Sequence, residues 1–259
     1  MSLFEKIQSD PPSWAGEKIA SWEDVFTDEM ANFVVRETVE RGAYVDMRDV
    51  IGQSGHYEGQ TWLEAAVSPR YKPSKMTRAF AMYEKNPDYY FNGQLVGDDC
   101  IVLSSLNGSG WYTDSGGNHR TVVAKFACDS LFRDAKVKGE YPRIHGALTR
   151  KYEVDLESKA LYGELLKFAG KGISILLEHS ESSKTTSVGV TVTAYETTFQ
   201  VSDFRFNSAG RSQKLGAAQF RKFARHLLAS DGKVSGWDRL RHLWKGAVRG
   251  EFDGLIYPE

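Results

Sequence analysis

Cysteine is scarce in this chain. Its 259 residues include only Cys100 and Cys128, too few for a disulfide framework or a zinc cage. A reducing, cytoplasmic setting is the simplest expectation. No run of about 18 consecutive apolar residues occurs, so the sequence offers no bilayer-spanning helix and no membrane partner is expected. The first residues, MSLFEKIQSDPPSW, have no basic start followed by an apolar stretch, and no secretory signal is expected from them. A net charge of one sign is also missing, since 33 Lys and Arg face 34 Asp and Glu. Apolar residues at 41% supply material for a core. That content rules out wholesale disorder, collagen-like repeats and low-complexity designs. The length fits one large domain or two modest ones, and no internal repeat is visible.

The near-neutral total hides an asymmetry. Residues Arg205 to Arg249 contain eleven Lys or Arg and two acids, Asp231 and Asp238. The rest of the chain is correspondingly acidic. A basic block beside an acidic remainder suggests an anionic partner or an internal acidic surface that docks on it.

Hydrophobic spacing predicts a mixed α+β fold. The first forty residues read as mostly helical, with Val25, Phe26, Met30, Phe33, Val34 and Val35 on overlapping helical faces. Ala43–Val50 alternates like a strand, and the Gly-rich stretch after it reads as a loop. A short helix is expected over Pro73–Tyr83, stopped by Asn86-Pro87. Cys100–Ser105 and Trp111–Asp114 read as a hairpin around the turn Asn107–Gly110. A helix follows from Thr121. Leu156–Phe168 reads as a helix ended near Gly170 and Gly172. Three strands follow, interrupted by a polar loop, HSESSKTTS. Two amphipathic helices close the chain, one with Phe220, Phe223, Ala224, Leu227 and Leu228, the other with Trp237, Leu240, Trp244, Ala247 and Val248. The expected division is a helical segment at 1–42, a central domain at 43–150, and a C-terminal α/β portion at 151–259 carrying the basic helices.

The chemistry points to one corner, SGGNHRTVVAKF. A strand runs into two glycines and a helix begins at once. Glycine lets the backbone approach a bound group and adopt positive φ. The unpaired N–H groups of the first helical turn suit a phosphate. Arg120 can hold two phosphate oxygens. By itself the pattern is also that of a tight turn beside a surface charge.

The order PSKMTRAFAMYEKNPD and then CIVLSSLNGSGWYTDSGGNHRTVVAKF resembles the ParB/sulfiredoxin superfamily over roughly residues 70 to 130. The features that carry the likeness are a short helix with Lys75, the turn Asn86-Pro87-Asp88, a β-hairpin, and the corner Gly117-Asn118-His119-Arg120. The resemblance implies a ParB/sulfiredoxin-like domain that binds a nucleotide, ATP or another NTP. The implied phosphate contacts are Lys75, Gly116, Gly117, Asn118, His119, Arg120 and Thr121. Sulfiredoxins carry a catalytic Cys where this chain has Asn118, so sulfinic-acid repair is disfavoured. ParB partition proteins use an Arg-rich corner, and this one has a single Arg. The remaining plasmid- and phage-type branch includes proteins resembling ATP hydrolases and nucleases. That implies an NTP hydrolase or nuclease beside DNA, with His119 and Arg120 catalytic, Asp114 as a candidate carboxylate, and Mg²⁺ as a candidate ion. Two alternatives stand beside it: a DNA-associated regulator or inhibitor without chemistry, and a small-molecule kinase using the same corner.

Asp98 and Asp99 flank the strand before the corner. His56 and Glu58 lie in a Gly-rich loop, where a histidine can act as acid or base. Asp46 and Arg48 on an early strand are candidates to line the same pocket. His145 and His179 lack partners at ligand spacing, so no zinc site is expected. Arg221, Lys222 and Arg225 on one C-terminal helix, and Arg239, His242 and Lys245 on the next, form rows with few acids. Such rows suit nucleic-acid backbones, although solvated faces over a core look the same.

Overall fold

The computed structural model describes residues 1–57, 59–93, 100–135, 139–187, 189–205 and 212–233. In chain order, the N-terminal elements are α1 (Leu3–Ser9), β1 (Ala20–Ser21), α2 (Trp22–Val25), α3 (Asp28–Ala31), β2 (Val34–Asp46) and β3 (Val50–Gln53). The middle contributes α4 (Trp62–Val67), α5 (Pro73–Lys85), β4 (Val102–Leu106), β5 (Trp111–Thr113) and α6 (Asn118–Asp134). The rest are β6 (Arg143–Val154), α7 (Leu156–Leu165), β7 (Ile173–Thr185), β8 (Val190–Asp203), β9 (Ser212–Gly216) and α8 (Ala217–Ala229). The fold is α+β, with parallel and antiparallel pairs in its sheet. Among the described residues, no helix is long and apolar enough to cross a membrane.

The chain divides into two compact units. The first comprises residues 1–27, 36–153 and 183–193; the second comprises 28–35, 154–182 and 194–259. This is not the expected division at 42 and 150, because the second unit recruits Asp28–Val35 from the N-terminal region.

In the first unit the strands run in the order β1-β3-β5-β4-β6-β2. β5 lies parallel to β3 and antiparallel to β4, with Leu103 opposite Thr113 and Ser104 opposite Tyr112. The hairpin read from the sequence therefore forms. Capping boxes open two short helices: Ser2 with Glu5 at α1, and Thr61 with Glu64 at α4. The core surrounds α6, whose Val122, Val123, Ala124, Phe126, Ala127 and Cys128 are buried. Lys125 is buried there too. Its ammonium donates to the carbonyls of Met47 (2.7 Å) and Val50 (2.8 Å). It also lies over the rings of Trp14 and Trp62. Carbonyl dipoles and aromatic faces replace part of its water shell. Burial still pushes its pKa down to about 8.

In the second unit β9 pairs antiparallel with β8, setting Phe199 opposite Leu215. Phe199 stacks on Phe220 of α8 with ring centroids 3.7 Å apart. This contact, with buried Phe223, Ala224 and Leu227, seats α8 by the face its apolar spacing predicts. The second C-terminal helix expected from the sequence lies outside the described residues.

Two expectations change. The helix expected to run through Val35 gives way to β2. The apolar residues at helical spacing are divided among α2, α3, the start of β2 and the connections between them, so their periodicity is accidental. The polar loop HSESSKTTS is largely strand, because β7 continues to Thr185. Its tip is a polar ladder: Ser183 bonds Thr193 at 2.9 Å and Thr185 bonds Thr191 at 3.0 Å. With polar residues on both faces there is no apolar alternation to read.

Candidate polyphosphate site

α5 and the start of α6 enclose a cavity of about 270 Å³ in the first unit. Its lining is Lys75, Arg78, Ala79 and Met82 from α5, and Gly117, Asn118, His119 and Arg120 from the corner. The fold thus brings Lys75 to a corner more than forty positions along the chain. Sequence reasoning misses Arg78. It follows Lys75 by three positions, with Ala79 and Met82 continuing the same helical face. That spacing is the signal that could have found it.

Gly117 caps α6 in the left-handed region at φ 91°. A Cβ there would lie 3.1 Å from the Cα of Ile101. Glycine is required twice, for conformation and for space. The Gly116 carbonyl accepts the Val102 N–H at 3.2 Å, tying the turn to β4. Behind the corner, Gln53 donates to the Asn118 carbonyl (3.2 Å), and the Asn118 side-chain amide donates to the Ser54 carbonyl (3.2 Å). Thr121 is fully buried, where Thr113 donates to its hydroxyl at 2.9 Å. Its side chain pins α6 to β5 and is absent from the cavity lining. α6 contributes its unpaired first-turn N–H groups and the positive end of its dipole.

His119 is half-buried among aromatic rings. Its ring centroid is 5.5 Å from Tyr57, 6.5 Å from Tyr71 and 6.4 Å from His56. Burial lowers its pKa against the pull of the Tyr71 carbonyl, and the nearby His56 and Lys75 lower it further. These effects favour the neutral imidazole. Its Nε2 is buried and without a hydrogen-bond partner. Tyr90 is buried near Arg120, its hydroxyl also lacking a partner. Burial raises the Tyr90 pKa, and the Arg120 charge opposes that shift.

Asp114 is not part of the cavity lining. Its carboxylate accepts from Ser104 at 3.0 Å. Asp46 and Arg48 also do not line this cavity; they pair with each other at 2.5 Å, and Arg48 lies over Tyr141. His56 is half-buried, with its ring 4.1 Å from Tyr71. His145 stacks on Tyr44, and His179 meets Thr197. Glu58, Asp98 and Asp99 lie outside the described residues. Among the described residues, no three or more His, Cys, Asp or Glu gather as a metal site. Magnesium favours carboxylate oxygens. Among the described residues, the cavity lining has cations, glycine, an amide and an imidazole but no carboxylate, so the described lining by itself does not fit the ion by direct ligation.

The basic row on α8 has a different setting. Arg221 donates to Asp155 at 2.6 Å and approaches Glu157 at 3.5 Å. Arg225 also pairs with Glu157. Asp155 in turn caps α7, accepting from the Ser158 backbone N–H at 3.0 Å and from its hydroxyl at 2.7 Å. Lys222 is exposed. Arg239, His242 and Lys245 lie outside the described residues.

No family model, curated protein or solved structure matches this chain.

Proposed function

We propose that the corner cavity binds the polyphosphate of a nucleoside triphosphate. The observation that carries this reading is the meeting of Lys75, Arg78 and Arg120 with the glycine-capped start of α6 around one cavity. Three cations and the first-turn N–H groups of α6 suit three linked phosphates. Arg120 supplies a planar fork, and Lys75 supplies a compact charge. Asn118 acts mainly from behind, anchoring the corner through Ser54. This reading agrees with the resemblance to ParB/sulfiredoxin proteins. Calorimetry with ATP, CTP, GTP and inorganic tripolyphosphate tests it. Heat with tripolyphosphate and at least one nucleotide is expected; no heat with any of them overturns it.

A second reading is NTP hydrolysis or nuclease chemistry beside DNA. His119 favours it. A neutral imidazole with an unpartnered nitrogen is suited to accepting a proton, rather than donating one at neutral pH. Phosphate release that disappears in His119→Gln while nucleotide binding persists supports this reading. Binding with no turnover supports a regulator instead. The DNA component loses the argument from unopposed charge, since Arg221 and Arg225 face carboxylates of α7.

A further inference from the structure

His119 shares the cavity lining with three cationic side chains, Lys75, Arg78 and Arg120. Its ring donates to the backbone carbonyl of Tyr71. A carbonyl only accepts, so the ring nitrogen facing it carries a hydrogen. Nε2 is buried without a partner, which assigns that hydrogen to Nδ1. In the neutral ring Nε2 then bears a lone pair that no described group engages. A proton added there makes a fourth cation in a lining whose described residues include no carboxylate. The described groups about the ring offer none either. His56 and Tyr57 approach it from the segment after β3. Tyr71, Lys72 and Lys75 approach it from α5 and the residues before it.

We propose that the polyphosphate enters this cavity together with a proton, which the anion draws from solvent onto Nε2 of His119. The inference rests on the polyphosphate reading of the site and adds its regulation by pH. No covalent bond to the ligand forms. An anion set among three cations removes the repulsion that opposes a fourth, and the imidazolium becomes one more positive charge facing it. The coupling is reciprocal: as the anion raises the affinity for the proton, the proton raises the affinity for the anion. Burial and the nearby cations hold the pKa of His119 down in the empty site, and the bound anion raises it. Affinity therefore climbs as the pH falls from the bound pKa toward the free one, and levels off below the free one.

Calorimetry with inorganic tripolyphosphate tests this, run from about pH 5.5 to 8.5 on the parent protein and on His119→Gln. Tripolyphosphate itself takes up protons in this range, but equally for both proteins. The parent's advantage over His119→Gln should grow as the pH falls, by up to about tenfold per pH unit for one proton. In buffers of unlike ionisation heat, the parent should take up more protons on binding than His119→Gln does. His56→Gln should retain that extra uptake. NMR of the parent needs no variant: the His119 ring signals should titrate at higher pH with tripolyphosphate bound. Equal pH slopes and equal proton uptake in the parent and His119→Gln overturn the inference while leaving the polyphosphate site standing. So do His119 signals that titrate alike with and without the anion, or an extra uptake that vanishes in His56→Gln. Absence of heat at every pH overturns the site and this inference with it.

Discussion

In the first unit, Lys75, Arg78 and Arg120 converge on a cavity whose described lining contains no carboxylate. In the second, Arg221 and Arg225 lie on α8 against Asp155 and Glu157. The sequence shows the reverse weighting. The basic block after Arg205 stands out by density, whereas the three cavity cations are scattered over forty-odd positions. Charge along a chain therefore predicts little about charge at a site. An ion pair within a unit neutralises a row that composition marks as basic. Convergence in space creates a strong local field from residues that composition ignores.

Substitutions at the two clusters should separate their roles. The largest effect is expected in the cavity. Lys75→Ala, Arg78→Ala and Arg120→Ala should each weaken tripolyphosphate and nucleotide binding about ten- to hundredfold, the scale of a lost hydrogen bond to a charged group. Calorimetry measures this, with Arg221→Ala as the comparison that should bind normally. If Arg221→Ala weakens binding as much, the contrast between the clusters collapses.

A comparable free energy should appear as stability at the other cluster. Asp155→Ala removes the α7 cap and the main partner of Arg221, and should destabilise by roughly 2–3 kcal/mol. Arg221→Ala should cost about 1–2 kcal/mol, since Asp155 keeps its bonds to Ser158. Urea denaturation reads both. An unchanged midpoint for either would mean that the pair is ornamental and that the arginine remains available for nucleic acid.

A smaller, pH-dependent effect sharpens the comparison with a third cation. Lys125 has its pKa near 8 in the folded chain, below its ordinary 10.5. Between those values the unfolded chain binds the extra proton, so stability rises with pH. The cost of the buried charge is present below pH 8 and is relieved above it. Subtracting the Lys125→Met melt from that of the parent protein between pH 7 and 10 should isolate this rise. A flat difference would show that the carbonyl cage fully offsets burial. The smallest effect is expected at exposed Lys222, where Ala should change stability by under about 0.5 kcal/mol and leave nucleotide binding unaltered.

Local signals determined several parts of this protein. The turn at Asn107–Gly110 set the β4–β5 hairpin, Pro73 and Asn86 bounded α5, and apolar spacing placed the buried face of α8. The glycine pair marked the corner, because a left-handed residue packed on Ile101 leaves no room for a side chain. Each of these is encoded within a few consecutive residues. The tertiary structure alone decided that α5 lies across the corner and brings Arg78 with Lys75. It also turned the Thr121 side chain into the core, left Asp114 with Ser104, and gave Arg221 and Arg225 their carboxylates. These outcomes depend on contacts between segments far apart in sequence, and neither periodicity nor charge count carries that information.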